Sequence, residues 1–402
     1  MHVCVTRQRI IIFTQICIMA RQMPSTSNPF RYGALALDDA FTDRESEISE
    51  LEADALNGQD VVLFAPRRYG KSSLVWRVSQ NLIARRVLVA HVNLMTTPTI
   101  TRLAEKLAGT IHEDIASPLF RAKERLRVLQ GLRVRPTVTV DPDDGSLSFS
   151  FDAGLRVEDI RATLERLLEL PGQLAAERKR RVVLILDEFQ EVTELDASLP
   201  RLMRSVFQQQ PEVAHVYLGS RRHVMERIFN DENEPFWRSA KQMELDVIER
   251  KPFARYIAHQ FVHTGKKIVA PAIEAVLDLT HGHPYATQEL CYFLWQDTQA
   301  GATATPEQVT AALARVLNAE HAHFSLVWEN ASAHQRLLLR ALAEGPGRPL
   351  AADYRRRHAL PGASSMQRAL GSLEEAELIG RRRGEAWINE PFLAQWLLRN
   401  EL

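Results

Sequence analysis

Ten residues, APRRYGKSSL at positions 65–74, combine glycine, lysine and serine at a spacing suited to holding phosphate. They follow the apolar run Val61–Phe64 and open a helical pattern in which Leu74, Val75, Val78, Leu82 and Ile83 share one face. The pattern predicts a strand, a tight loop and a helix N-terminus. Amides of such a loop point into one concavity, and the first helical turn adds unpaired N–H donors and the positive end of a dipole. A polyphosphate fits there. Ala65, Pro66, Arg67, Arg68, Tyr69, Gly70, Lys71, Ser72 and Ser73 are therefore candidate phosphate-binding residues. Lys71 would reach the β- and γ-phosphates, and the Ser72 hydroxyl would ligate Mg²⁺. The usual pattern is GxxxxGK[ST]; Ala65 stands where its first glycine belongs, so one permissive backbone position is lost.

Hydrolysis needs a metal anchor and a group that orients water, and the segment RRVVLILDEFQEV at 180–192 offers both. Asp187 ends an apolar strand, where its carboxylate can share the Mg²⁺ shell with Ser72. Glu188 follows at once and can polarise the attacking water. The next strand runs into Gly219, Ser220, Arg221 and Arg222. Parallel strands present their carboxyl ends at one edge, where ligands sit. Either Ser220 or Arg221 is thereby placed to approach a γ-phosphate, and Arg221 would stabilise the charge that develops during transfer. The catalytic candidates are thus Lys71, Glu188 and Arg221.

The elements that must position these groups are legible as short apolar runs. Strands are predicted at Val61–Phe64, 87–93, Val182–Asp187, 215–219 and 242–245. They show little alternation, as suits strands covered on both faces of a parallel sheet, and helical patterns separate them. This is a layered α/β domain. The interval from about 110 to 180 exceeds one crossover. Within it, PTVTVDPDDGSLSFSFD alternates on both sides of Asp143, Asp144 and Gly145, a hairpin signature, and a helix rich in Leu and Arg runs from 157 to about 179. The segment reads as an insertion, serving either packing or partner contact. From 253 to about 317 the pattern is all helical. Helices at 334–343, 352–358 and 364–378 follow, then a basic turn at 381–383, a strand at 386–388 and a last helix through Trp396. Three helices and a hairpin form a winged-helix pattern.

Two more segments join these. AFTDRESEISEL lies at 40–51 and LTHGHPYATQELCYFLW at 279–295. Together with APRRYGKSSL and LILDEFQEV, and in the same order, they resemble the archaeal-type ATPase family, of the STAND class of P-loop NTPases and related to AAA+ and origin-recognition ATPases. The resemblance runs from about Asn28 to the C-terminus. It implies a three-layer P-loop NTPase core of the ASCE type, a helical lid, a winged helix, and ATP with Mg²⁺ as cofactors. It implies adenine contact by the segment in which Phe41, Arg44 and Glu47 match the family's motif, with Asp43 standing where the family has glycine. It matches Gly282, His283 and Pro284 to a Gly-x-Pro motif, which places His283 against the nucleotide phosphates. By itself, a histidine before Pro284 also reads as a helix cap.

Taken together, the expected organisation is a core over 24–250 with its insertion at about 110–180, a lid over 251–320 and a winged helix over 321–402. Residues 1–23 are expected to stand outside the fold: IIIFTQICIM is too short to span a bilayer and no cleavage site follows, so translation is expected to start at Met19 or Met23. With 50 basic and 50 acidic residues the chain has no net electrostatic bias toward nucleic acid or membrane. Three cysteines without metal-ligand spacing suit a reduced, cytoplasmic protein. The leading expectation is a slowly hydrolysing ATP switch that couples nucleotide state (ATP or ADP) to the winged helix. Two alternatives stay open: an ATP-licensed DNA-binding regulator or loader, and a scaffold that holds nucleotide without turnover. Arg355–Arg357, Arg368 and Arg381–Arg383 favour DNA as partner. Glu374, Glu375 and Glu377 on the presumed recognition helix oppose it, leaving a protein partner or a nucleotide-dependent oligomer.

Overall fold

The computed structural model describes residues 27–400, apart from 36–40, 117–118, 120–125, 142–146, 153 and 155. The leader and the tip of the insertion hairpin at Asp143–Gly145 lie outside the described residues. The chain separates into two compact units. One comprises Arg44–Val247 with Gly345–Asn389. The other comprises the residues up to Asp43, Ile248–Glu344 and the residues from Glu390.

The first unit contains, in chain order, α1 (Glu45–Asn57), β1 (Val61–Phe64), α2 (Lys71–Ala84), β2 (Leu88–Asn93), α3 (Ile100–Thr110), β3 (Thr137–Val140), β4 (Leu147–Ser150), α4 (Val157–Arg178), β5 (Val182–Asp187), α5 (Leu199–Phe207), β6 (Val213–Gly219), α6 (Arg222–Asn230) and β7 (Lys241–Glu244). The parallel sheet has the order β2-β5-β6-β1-β7. Strands β1, β5 and β6 are buried at every position, which is why their sequences are continuous apolar runs rather than alternating ones. Because β6 lies between β5 and β1, the carboxyl ends of three strands meet: Asp187 ends β5, Gly219 ends β6, and Phe64 of β1 leads into the phosphate loop. Between β2 and β5, β3 and β4 pair antiparallel and α4 packs through Leu164, Leu167 and Leu168 into the core.

Beneath the strand ends sits a group of rings. Phe189 lies 4.7 Å from Tyr217, 5.9 Å from Phe229 and 5.2 Å from Phe236, and all four are fully buried. Aromatic contacts at these spacings add to plain area burial. They fix the backbone immediately after Glu188.

The second unit is helical: α7 (Arg250–His263), α8 (Ala270–Thr280), α9 (Pro284–Asp297), α10 (Pro306–Ala319), α11 (His321–Asn330), α12 (Ala333–Ala343) and, at the end of the chain, α15 (Pro391–Arg399). The stretch expected to be wholly helical also holds a two-residue parallel pair, β8 (Lys267–Ile268) with β9 (Thr303–Ala304); strands this short leave no periodicity to read. Phe30 packs here against Tyr256 and Phe261. Within the first unit, α13 (Ala352–Arg357) and α14 (Ala363–Glu375) precede a hairpin of β10 (Ile379–Arg382) and β11 (Glu385–Ile388). The basic turn expected at 381–383 is displaced. Arg381 and Arg382 lie on β10, and the turn is Arg383 and Gly384, both with positive φ, as a two-residue hairpin turn with right-handed strand twist requires.

Gly219 is where fold and site meet. A Cβ there would come within 2.4 Å of Met225 Cγ and 2.8 Å of Gln190 Oε1. Gly219→Ala is expected to destabilise the protein by about 1–3 kcal/mol through overpacking. Gly371→Ala, in α14 with nothing within 4 Å of the new methyl, is expected to gain about 0.5–1 kcal/mol. Urea unfolding of the two variants checks both signs.

Candidate phosphate and metal site

The phosphate loop owes its shape to two residues. Gly70 is the N-cap of α2 with φ 84°, a left-handed conformation that glycine adopts without strain. Ala65 is buried and stays out of the left-handed region, so the loss of glycine at that position costs the loop no backbone conformation it uses. Lys71 begins α2 and is buried; Ser72 is exposed on the first turn, and Ser73 is buried. Pro66, Arg67 and Arg68 form the outer part of the loop, with Arg68 at φ 68°, and Tyr69 turns inward. The Tyr69 amide donates to Pro66 O at 3.4 Å, and the Leu74 amide closes onto Gly70 O at 2.9 Å.

Across from the loop, Lys71 Nζ lies 3.2 Å from Glu188 Oε1 and 3.7 Å from Asp187 Oδ1. Glu188 follows β5 in the left-handed region, φ 52°, uncommon for a residue with a side chain. Its Oε2 accepts from Gln190 Nε2 at 2.5 Å and from Ser220 Oγ at 2.9 Å, and its amide donates to Asp187 Oδ1 at 3.0 Å. Asp187 Oδ2 faces His91 Nε2 at 3.6 Å. Burial alone would raise both carboxyls. For Asp187 the nearby His91 ring and the charge of Lys71 outweigh it; for Glu188 the charge of Lys71 and the bonds from Gln190 and Ser220 do. Both carboxyls are held below their ordinary values and are ionised at neutral pH.

One ammonium thus faces two carboxylates, and the cluster is short of positive charge. The carboxylate oxygens of Asp187 are hard donors of the kind Mg²⁺ prefers, and Ser72, the other expected metal ligand, is exposed on the first turn of α2. Among the described residues no cluster of three or more His, Cys, Asp or Glu forms a protein-only metal cage.

The sequence-derived candidates do not all meet. Lys71, Asp187 and Glu188 do. Arg221 instead pairs with Glu191 and, at 2.9 Å, with Glu194, so the catalytic role expected of it finds no support in its contacts. Ser220, the other candidate at that strand end, is the one that reaches Glu188. Arg44, expected against adenine, is buried: Nη1 pairs with Glu47 at 2.9 Å, and Nη2 donates to Asp246 O and, at 3.4 Å, to Tyr69 O. It braces the phosphate loop from behind. Asp43, in the place of a glycine, has φ 60°, so the left-handed geometry persists with a residue type that tolerates it. Phe41 is half-buried, in the other unit. His283 belongs to that unit as well, where its Nδ1 accepts from the Ala286 amide at 3.2 Å and caps α9. Sequence reading missed His91 and Gln190. Gln190, a polar residue two positions after Glu188, was visible in principle; His91 comes into range only through the pairing of β2 with β5.

Lys71→Met would leave two buried carboxylates without their cation. Both acids titrate low when folded, so the stabilisation they gain from Lys71 is complete above the unfolded carboxylate range, about pH 4, and is lost as pH falls through the folded values. The melting temperature of Lys71→Met is therefore expected to trail the parent's most at neutral pH, with the gap closing on acidification below about pH 4. Thermal unfolding of both proteins across pH 3–8 checks it.

Residues 41–290 match the family described as an ATPase domain predominantly from Archaea, and residues 322–399 match a probable winged helix domain. Among solved structures, the chain is similar to the Walker-type ATPase PABY2304 of Pyrococcus abyssi, with a TM-score of 0.63 and 15% identity over 90% of this chain and 97% of that one. It is also similar to the ORC2 protein of Aeropyrum pernix, solved as ADPNP and ADP complexes, with a TM-score of 0.52 and 14% identity over 94% of this chain and 97% of that one. At such identities the likeness is one of fold. No curated protein sequence matches the chain. Among the described residues no helix is long and apolar enough to cross a membrane.

Proposed function

The chain belongs to the family of ATPase domains found predominantly in Archaea, and from that premise we propose that it is a slow, Mg²⁺-dependent ATPase serving as a molecular switch. The observation that carries this reading is the convergence of Lys71, Asp187 and Glu188 at the adjoining ends of β1, β6 and β5. Substrate phosphates bring negative charge to Lys71 in place of Glu188. Glu188, still held by Gln190 and Ser220, is then free to accept a proton from water attacking the γ-phosphorus. The ammonium of Lys71 and the loop amides meet the charge that builds on the phosphoryl oxygens. Asp187 and Ser72 would hold Mg²⁺, which neutralises β- and γ-oxygens when bound. The products are ADP and phosphate. ATP rather than GTP follows from family membership, and the resemblance proposes Phe41 and His283 as further nucleotide contacts.

Lys71→Ala is expected to lose most nucleotide affinity. Glu188→Gln is expected to keep Mg-ATP bound while turnover falls by about 10²–10⁴, the usual worth of a positioned general base. Equilibrium binding and phosphate-release assays on both variants check this. Parental turnover in Glu188→Gln would remove Glu188 from the reaction and favour another group as base.

A second reading gives the winged helix DNA as its partner. Arg356, Arg357, Arg368 and Arg383 are exposed on α13, α14 and the hairpin turn. Against it, Arg381 is tied to Glu374 at 3.0 Å and Arg382 to Glu244 at 3.7 Å, so part of the basic surface is neutralised within the protein. A protein partner therefore stands as the alternative occupant. If DNA binds, duplex affinity rises steeply as salt falls. Replacing Arg356, Arg357 and Arg383 by Gln then lowers the salt slope by about one for each phosphate left without its arginine. Fluorescence anisotropy at low salt that shows no binding would leave the protein partner.

A further inference from the structure

The phosphate site contains an acid that neither hydrolysis nor metal binding calls for. Glu377 follows α14, on the turn that leads into β10, and its carboxylate is directed into the core. Its Oε2 lies 2.9 Å from Arg67 Nε, on the phosphate loop. Its Oε1 lies 3.1 Å from Ser220 Oγ, the hydroxyl that also sits 2.9 Å from Glu188 Oε2. A second tie joins the same segment to the core, Arg382 to Glu244 at the end of β7. The turn is held in shape from within. The Glu377 amide donates to Glu374 O at 2.9 Å, Asn389 Nδ2 donates to Glu377 O at 2.9 Å, and Glu377 has φ 57°.

The arrangement is poised rather than locked. A hydroxyl carries one proton, so Ser220 can donate to Glu188 or to Glu377 but not to both. Arg67, the other partner, is largely exposed, and exposed ion pairs are weak. Two acids thus crowd one donor, with a single solvent-screened cation between the outer one and release. Arg67 and Ser220 are also what a terminal phosphate would seek: a guanidinium on the phosphate loop, and a hydroxyl at the strand end beside the acid that orients water. A phosphoryl group brings more charge and more acceptor oxygens than one carboxylate.

The geometry points to Glu377 as a built-in competitor for the terminal phosphate. Its carboxylate occupies Arg67 and Ser220, so binding of a nucleoside triphosphate and docking of the turn after α14 exclude each other. This rests on the proposed nucleotide site and adds its regulation: the γ-phosphate displaces Glu377 and frees the α14–β10 segment, whereas a diphosphate, ending one phosphate short, leaves it docked. A site whose competent form is only partly populated shows affinity reduced by that fraction, and removing the competitor restores it.

The test compares Mg-ATP and Mg-ADP binding to the full chain and to Glu377→Gln by calorimetry, with hydrogen exchange on the parent. Glu377→Gln is expected to bind Mg-ATP roughly three- to ten-fold more tightly, with Mg-ADP affinity changed by less than about two-fold. Mg-ATP, but not Mg-ADP, is expected to speed amide exchange across residues 376–389 of the parent. Equal changes for both nucleotides, unchanged Mg-ATP affinity, or exchange at 376–389 indifferent to Mg-ATP would overturn the competition while leaving the nucleotide site standing. Binding of neither nucleotide to either protein would remove the site itself and the competition with it.

Discussion

One buried ammonium shared by two carboxylates organises this protein. Lys71 starts a helix that follows β1; Asp187 ends β5 and Glu188 follows it; and β6 lies between, leading into Ser220. Ionised groups are costly to bury singly, and each of the three is largely enclosed. The cluster is stable only as a set, and the set comes together only if the strand order is β5-β6-β1. The sheet order and the site are therefore one constraint. The rings of Phe189, Tyr217, Phe229 and Phe236 serve it from below by fixing the turn in which Glu188 takes its left-handed backbone.

Two acids against one cation leave the cluster negative, while Lys71 and the amides of the loop ahead of it present positive charge. Arg44 shows how far the support extends. It spends its guanidinium on Glu47 and on the carbonyls of Asp246 and Tyr69, which ties the start of α1, the segment after β7 and the phosphate loop into one piece. Such bracing is what holds reacting groups in register.

Much of this was legible from sequence because the signals were local. Strands β1 and β5 are continuous apolar runs, and the sequences of the antiparallel pair β3 and β4 alternate. The phosphate loop and the acid pair could be named before any fold was known. What was not legible is relational. His91 approaches Asp187 through strand pairing, and Ser220 rather than Arg221 faces the site because Glu191 and Glu194 draw the guanidinium aside. Glu377 lies 157 positions from Ser220 in the chain, and nothing near it in sequence announces a phosphate site. The glutamates after position 373 read as a poor DNA-facing surface; one of them turns out to face the core.

The account depends on Lys71, Asp187 and Glu188 meeting around a magnesium-bound triphosphate, and the most direct measurement is the melting temperature of the parent protein titrated with Mg-ATP and, separately, with Mg-AMP. A ligand that binds only the folded state stabilises it in proportion to the logarithm of its concentration above its dissociation constant, by about 2.7 kcal/mol at a hundredfold excess. The expected result is a steady rise with Mg-ATP and little movement with Mg-AMP, which lacks the phosphates that reach Lys71. A melting temperature indifferent to Mg-ATP, or one raised equally by Mg-AMP, would contradict it.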